Sequence, residues 1–240
     1  MALLAIETAT QQLGVALMDG EHVRSSYELL AEYPHAVELP GAVKRVLEAA
    51  RATWDDVEAI AVDIGPGSFT GLRIGLAFAK SVAFAAKKPL LGVPSLEVLA
   101  AQAVFAAGTI CPMLDAKRQN VYAALYQLEH GVPVRRSDYL LSPVDEVLQG
   151  IQGPAIFLGD GCALYRDRIA ERCPDAQVAP SELWLPKVAT LARLGWSRFT
   201  QGHRDDAASL VPMYLYAQTC QIRLSDRPPG APRKKTAKAA

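Results

Sequence analysis

A glycine-rich turn between an apolar strand and an apolar helix most restricts how this chain can fold. The turn is Gly65-Pro66-Gly67-Ser68-Phe69-Thr70-Gly71, which follows the β-branched run Val57–Val62 and precedes a helical segment, Leu72–Ala86, that ends before Pro89. Short apolar runs of this kind are typical of strands buried on both faces, and proline cannot continue a helix. Strand, tight turn and helix in succession predict an α/β fold with helices layered on a sheet.

The turn itself allows two interpretations. Glycine permits positive φ and close approach of another backbone or of a phosphate, and the first N–H groups of a helix attract anions. The spacing departs from the nucleotide-binding patterns, because Thr70 stands where GxGxxG requires glycine and Leu72 stands where GxxxxGK[ST] requires lysine. An anion-binding turn and a plain strand–helix connection therefore both stay open.

The helix behind the turn is apolar nearly all round. Between Gly71 and Ala86 its only charges are Arg73 and Lys80, and a helix of this kind is covered on nearly all sides. One face carries Leu72, Leu76, Ala79, Val82, Ala83 and Ala86, and the other carries Ile74, Ala77, Phe78, Ser81 and Ala85. If the sheet covers the first face, the second needs another cover, which is either a second subunit or the chain's own core. Small residues recur at Gly71, Gly75, Ala79 and Ala83 and would let another helix approach closely.

Alternating strand and helix patterns continue along most of the chain. Predicted strands are 3–6, 13–18, 25–30, 57–62, 90–93, 110–114, 121–128, 132–141 and 155–158, and predicted helices are 37–50 (beginning near His35), 72–86, 95–105 with Ser95 as its N-cap, 144–149, 165–172 and 187–201. The pattern is divided into an N-terminal lobe, 1–107, a C-terminal lobe, 108–225, and a tail, 226–240. The two lobes echo each other, since each opens with strands joined by a polar link that bears an acid, Glu7 in one and Asp115 in the other.

Charge and cysteine usage exclude several classes of protein. The net charge is zero, but five basic residues against one acid give the tail +4, so the remaining residues sum to −4. An acidic body argues against a stand-alone nucleic-acid binder, and the tail is either a disordered, solvated end or a contact for RNA or another acidic surface. The four cysteines form no CxxC pair and no dense disulfide framework. With no basic leader and no uncharged apolar window of roughly 18 residues, a cytoplasmic protein without membrane contact is expected.

Several motifs together resemble one family. Asp63-Ile-Gly-Pro-Gly-Ser-Phe-Thr-Gly-Leu-Arg-Ile-Gly75 closely resembles the signature of the bacterial TsaB family, also called YeaZ. Ile6-Glu7-Thr8-Ala9-Thr10, Asp115-Ala-Lys-Arg-Gln-Asn-Val-Tyr122 and Pro212-Met-Tyr-Leu are similar to further family segments in the same order. The resemblance implies a two-lobed actin/sugar-kinase-like (ribonuclease H-like) α/β fold with mixed five-stranded sheets flanked by helices.

The resemblance also implies a function. Members of the family are non-catalytic, partner-binding subunits that support a TsaD-like catalytic subunit. With a TsaE-like ATPase, the complex transfers a threonylcarbamoyl group to N6 of the adenosine beside the anticodon in ANN-reading tRNAs. The family pairs with TsaD through its first two helices, here about 36–51 and 71–86, and self-associates as a homodimer when alone. Carried onto this sequence, the partner-binding residues are Gly71, Arg73, Ile74, Gly75, Phe78, Ala79, Val82, Val43 and Leu47.

Two departures bear on cofactors. The family usually has aspartate where this chain has Glu7, and the longer carboxylate disfavours a magnesium-phosphate role. The catalytic relative holds its metal with an HxxxH pair, whereas His35 is followed four residues later by Leu39, so no metal site is expected. ATP or ADP at the interface of the complex stays open. Candidate residues for a phosphate or nucleotide loop are Glu7, Thr8, Gly65, Gly67, Ser68 and Asp115.

Two enzymatic alternatives compete with the scaffold subunit. A small-metabolite kinase of the same fold would use Glu7 and Asp115 as magnesium-linked carboxylates and Gly159-Asp160-Gly161 as a phosphate turn. Ala9 and Ala116 disfavour it, because glycines are expected at the phosphate loops of such kinases. A metallopeptidase-like enzyme is disfavoured by the absence of paired histidines in the sequence.

Overall fold

The structure, a computed structural model, describes residues 2–30 and 35–215. A mixed sheet of five strands in the order β3-β2-β1-β4-β5 forms the first half. Its strands are β1 (Ala2–Glu7), β2 (Gln12–Asp19), β3 (His22–Leu30), β4 (Val57–Gly65) and β5 (Leu90–Pro94). Every residue of β1 is buried, as its continuous apolar run predicts, whereas β3 alternates between exposed and half-buried positions because it lies at the edge of the sheet.

A second mixed sheet contains seven strands. Its strands are β6 (Thr109–Asp115), β7 (Asn120–Ala123), β8 (Tyr126–Glu129), β9 (Val132–Arg135), β10 (Leu140–Pro143), β11 (Ala155–Leu158) and β12 (Ala176–Val178). Five of them follow the order β10-β7-β6-β11-β12, while β8 pairs with β6 and with β9 to one side. The helices are α1 (His35–Ala49), α2 (Phe69–Ala86), α3 (Ser95–Gln102), α4 (Val144–Gln149), α5 (Gly161–Arg172) and α6 (Val188–Thr200). The expected α/β architecture of sheets flanked by helices is confirmed, but the second sheet has seven strands where five were expected, because β8 and β9 add to one side.

The two sheets repeat one pattern of strand directions. In the first, β3, β2 and β1 pair antiparallel and β1, β4 and β5 pair parallel; in the second, β10, β7 and β6 pair antiparallel and β6, β11 and β12 pair parallel. Glu7 and Asp115 end the two central strands, β1 and β6, so they occupy equivalent positions. The echo between the halves of the sequence therefore corresponds to a repeated fold.

Two helices cross between the repeated units. α3 follows the first sheet but packs with β6 and its neighbours in the core of the second, and α6 follows the second sheet but packs across β1, β2 and β4 of the first. The two sheets divide between β5 and β6, whereas α3 and α6 each cover the sheet of the other unit. The predicted lobes, 1–107 and 108–225, stay a prediction. The tail, 226–240, lies outside the described residues.

Most predicted elements are present, and the differences have local causes. The predicted strands 121–128 and 132–141 each break in two, because Leu125 leaves the sheet ladder: its N–H donates to Ser137 Oγ at 2.9 Å and its carbonyl accepts from Arg136 at 2.7 Å. α3 ends at Gln102 rather than at residue 105. Ser95 does not cap α3 as expected, because its hydroxyl donates to Asp63.

Candidate functional site

The glycine-rich turn packs onto the link between β1 and β2. The Ser68 N–H donates to Ala9 O at 2.6 Å, and a Cβ on Gly67 would lie 2.2 Å from the same oxygen. Gly65 has φ +98°, a conformation that favours glycine. The glycines of the turn therefore serve close packing within this chain.

The N-terminal turns of α2 also pack closely against Thr8, the residue that follows β1. Thr8 Oγ1 donates to Gly71 O at 2.9 Å. A Cβ on Gly71 would lie 2.0 Å from Thr8 O, and a Cβ on Gly75 would lie 2.1 Å from Thr8 Oγ1. Ala79, the next small residue of the series, is fully buried in the core of the first sheet. Within this chain, the neighbour that approaches Gly71 and Gly75 is therefore Thr8, directly after β1, and a contact of these small residues with another chain stays a prediction.

Val43 and Leu47, also predicted to bind the partner, lie inside this chain. Val43 is 2% exposed and Leu47 is 7% exposed, and both pack in the core beneath α1. A side chain enclosed by its own sheet and helices offers no surface to a second protein. Ile74, Phe78 and Val82 of α2 are only half-buried, so these three predicted residues remain accessible.

The outward side of α2 is open, as its second apolar face predicts. We call this side the outer face of α2. It consists of Ile74, Ala77, Phe78, Ser81, Phe84 and Ala85. The ring of Phe84 is 86% exposed. A groove of about 550 Å³ runs beside the face between Phe78, Val82 and Trp54. An apolar face of this kind on a folded chain is typical of an interaction surface.

By length and composition alone, α2 could also cross a membrane. Its mean hydropathy is 1.3 over 18 residues, of which 33% are buried in the structure. Because Arg73 and Lys80 interrupt it, the sequence offers no uncharged window here. In the structure α2 lies along β4 and contacts α1, as a helix layered on a sheet does.

Arg73 is held by its own chain. Its Nε donates to the Tyr214 hydroxyl at 2.9 Å, and its guanidinium lies 3.8 Å from the centre of the Phe69 ring. Tyr214 belongs to a C-terminal segment, 205–214, that runs beside α2 and is tied down by Met213 N–H, which donates to Ile64 O at 2.7 Å. In the sequence, Pro212-Met-Tyr-Leu stands out only as a family motif, and no local pattern places it beside α2.

A cleft of about 540 Å³ opens between the two sheets. It is lined by Ala9, Thr10, Gln11, His35, Gly67, Ser68, Phe69, Leu114, Asp115, Ala116, Lys117, Tyr122 and Asp160. Asp115 is neutralised within this wall, because it accepts from the Lys117 N–H at 2.8 Å and forms an ion pair with its ammonium group. This carboxylate raises the pKa of Lys117, and burial raises the pKa of Asp160, which accepts from the Asp115 N–H at 2.9 Å.

The residues of the candidate phosphate loop do not form one site. Gly67, Ser68 and Asp115 line the cleft, whereas Glu7 and Thr8 are fully buried behind it and Gly65, the buried first residue of the turn, does not line it. Two amides of the turn are engaged within the chain, since the Ser68 N–H is bonded to Ala9 O and the Gly71 N–H donates to Ser68 Oγ at 3.2 Å. Binding of a phosphate or nucleotide by these residues stays a prediction.

The second candidate phosphate turn and the histidine considered for a metal site both contact other parts of this chain. A Cβ on Gly159 would lie 2.2 Å from Met113 O, so the second candidate phosphate turn is a close contact with β6. Within residues 2–30 and 35–215, no three His, Cys, Asp or Glu side chains form a group that could hold a metal ion. His35 Nε2 lies 2.9 Å from Thr10 O, which links α1 to the cleft wall.

Comparison with known proteins decides the family. The family model described as TsaD, tRNA N6-adenosine threonylcarbamoyltransferase, matches residues 29–223. The tRNA threonylcarbamoyladenosine biosynthesis proteins TsaB of Bacillus subtilis and Escherichia coli are 33% and 30% identical to this chain, and each match covers 90% of this chain and 94% of the relative. The chain belongs to the TsaB family.

A solved structure supports the same conclusion for the fold. YeaZ from Pseudomonas aeruginosa is 29% identical with a TM-score of 0.78, over 89% of this chain and 99% of that chain. As a TsaB-family protein, the chain has the actin/sugar-kinase-like fold of two sheets that the motifs implied. The resemblance drawn from the glycine-rich turn and the three supporting segments is confirmed.

Proposed function

We propose that this chain is the non-catalytic, partner-binding subunit of the complex that makes threonylcarbamoyladenosine in ANN-reading tRNAs. It supports a TsaD-like catalytic subunit, and a TsaE-like ATPase completes the assembly in the cytoplasm. The TsaB relatives, which match over nearly their whole length, support the pathway. The observation that carries the partner-binding role is the outer face of α2, which this chain leaves open.

The outer face has the composition of an interface centre. Phe78 and Phe84 supply aromatic surface, Ala77 and Ala85 permit close approach, and Arg73 flanks the face in a fixed position. Aromatic residues and arginine are enriched where proteins bind each other. A helix of the TsaD-like subunit packed along this face would cover Phe84 and the groove beside Trp54.

The test is a matched pair of phenylalanine substitutions. Phe84 is 86% exposed and Phe105 is 98% exposed, so F84E and F105E both introduce a charge without opening a core. F84E should weaken binding of the TsaD-like protein by at least about 3 kcal/mol, or roughly 100-fold in Kd, because an unpaired carboxylate becomes buried. F105E should bind as the wild type does.

Co-purification, gel filtration and a tRNA modification assay with the partner proteins added provide the readouts. Equal binding by F84E and wild type would remove the outer face from the proposal. A wild-type chain that does not bind the TsaD-like protein at micromolar concentration would contradict the proposal as a whole.

The same face is proposed to form the homodimer in the absence of the partner. Light scattering should then show a dimer that F84E converts to a monomer.

The kinase alternative is less supported, because the relatives that match nearly the whole chain are TsaB proteins. Calorimetry with Mg-ATP on the isolated chain separates the two functions. Tight binding accompanied by hydrolysis would favour a kinase, whereas the proposed subunit transfers no group by itself. Nucleotide at the interface of the complex is a separate proposal, which the same titration on the assembled complex tests.

A further inference from the structure

Two buried carboxyl groups lie side by side beneath the glycine-rich turn. β1 and β4 run parallel with Ile6 opposite Val62, so Glu7 and Asp63 follow as neighbours near the ends of the two strands. Both side chains are at 0% exposure. Two ionised carboxylates this close and shielded from water would repel each other strongly, which disfavours the doubly charged pair.

Each carboxyl group binds the backbone or a hydroxyl with one oxygen. Glu7 Oε1 accepts from the Ala9 N–H at 2.7 Å, and Asp63 Oδ1 accepts from the Gly65 N–H at 2.7 Å and from the Ser95 hydroxyl at 2.6 Å. Glu7 Oε2 and Asp63 Oδ2 are buried and find no ordinary donor among the described residues. Each carboxyl group affects the pKa of the other. A hydrogen bond between their free oxygens would require a proton, because ionised carboxylates only accept.

We propose that Glu7 and Asp63 share a single proton in the folded protein at neutral pH, and that this bridge is a pH-sensitive clamp at the base of the turn. The proton lies on Glu7, because Asp63 accepts two further hydrogen bonds that favour its ionised form. The clamp joins the β1–β2 link through Ala9, the glycine-rich turn through Gly65 and the start of α3 through Ser95. It does not depend on the proposed tRNA-modification role.

The charges around the pair favour the bridge. Burial, the charge of Asp63 and, to a lesser extent, Glu28 on β3 raise the pKa of Glu7 well above its ordinary value. Glu28 is itself paired with Lys187, which precedes α6, at 3.8 Å. His35 on α1 bonds the cleft wall rather than the pair.

The direction of the pH dependence follows. Above the ordinary pKa of 4.5, Glu7 is ionised in the unfolded chain but protonated in the folded one, so folding takes up a proton. Stability contributed by the pair is present at low pH and is lost as the pH rises toward the folded pKa of Glu7. Glu7→Gln should keep both hydrogen bonds, since the amide accepts from Ala9 and donates to Asp63, but it has no proton to lose.

The experiment measures urea unfolding of the full chain at several pH values for wild type and E7Q. The quantity compared is the ratio of the unfolding equilibrium constant of wild type to that of the variant. For E7Q this ratio should rise by roughly tenfold per pH unit above about pH 5, or on the order of 100-fold between pH 5 and pH 7. Glu58 lies on β4 and has no bond to a described side chain, so E58Q is the control, and its ratio to wild type should stay constant over this range.

Infrared spectroscopy gives an independent readout. Wild type at pH 7 should show a protonated-carboxyl C=O band that E7Q lacks. D63N, in which Glu7 stays buried beside an amide instead of a carboxylate, should shift this band, and it keeps the test available if E7Q fails to fold. A wild-type to E7Q ratio that stays constant between pH 5 and pH 7, or absence of the band, would overturn the shared proton. Loss of the pH effect on removal of divalent cations with EDTA would also overturn it, since a cation would then bridge the pair.

Discussion

Replacing Gly75 by alanine tests whether α2 is seated on its own chain. The new Cβ would lie 2.1 Å from Thr8 Oγ1 and 3.3 Å from Thr8 Cβ, where ordinary contacts begin at 3.4 Å. Thr8 is fully buried and donates to Gly71 O, so it cannot move away without losing that bond. Overpacking costs about 1–3 kcal/mol and the broken buried bond about 1–3 kcal/mol, against a helix-propensity gain of about 1 kcal/mol. We expect a net destabilisation of about 3 kcal/mol.

The assay is thermal and urea unfolding of the isolated chain, where about 3 kcal/mol corresponds to a Tm lowered by roughly 6–12 °C. Gly41 in α1 provides the matched control, because a Cβ at this position would lie 4.0 Å from its nearest neighbour, an atom of Arg45. Gly41→Ala should be neutral or stabilising by up to about 1 kcal/mol. If G75A is as stable as wild type, or if G41A loses as much stability, the close seat of α2 on Thr8 is not the constraint described above.

Two further predictions concern the C-terminal segment and the buried cysteines. Asp205 Oδ2 accepts from the Gly92 N–H at 2.7 Å and anchors the C-terminal segment to β5. Asp205→Ala should therefore destabilise the chain by about 1–2 kcal/mol and speed hydrogen exchange of the Met213 amide. An unchanged exchange rate at Met213 would contradict this anchoring. Burial raises the pKa of Cys162 to about 12 and also raises that of Cys111; thiol reagents at pH 8 should therefore leave both unlabelled until the chain unfolds, as site-resolved mass spectrometry can check.

The sequence is most informative where periodicity and composition decide the structure. The two faces of α2 can be drawn from apolar spacing alone, and the open one is the one that lacks Leu72 and Leu76. What spacing cannot show is which neighbour the small residues meet. Gly71 and Gly75 are consistent with a second helix or with a strand, and only the position of Thr8 at the end of β1 distinguishes them.

Pairing between distant strands is beyond local reasoning. Glu7 and Asp63 are 56 positions apart in the sequence, and their contact depends on the parallel register of β1 with β4, which no local pattern specifies. The same limit explains why the sequence predicts a cap at Ser95, although its hydroxyl donates to Asp63. The break at Leu125 likewise depends on Ser137, twelve residues away.

The packing of the turn also bears on how a partner would meet α2. Amides that could have contacted a phosphate are bonded to Ala9 and Ser68, and the first turns of α2 are fixed against Thr8. A helix seated in this way presents its outer face in one position, so this chain loses little conformational freedom when a partner binds. The glycines that made a nucleotide site plausible, Gly67 and Gly71, therefore pack against Ala9 and Thr8 of this chain, and they hold the start of α2 in place beneath the proposed interface.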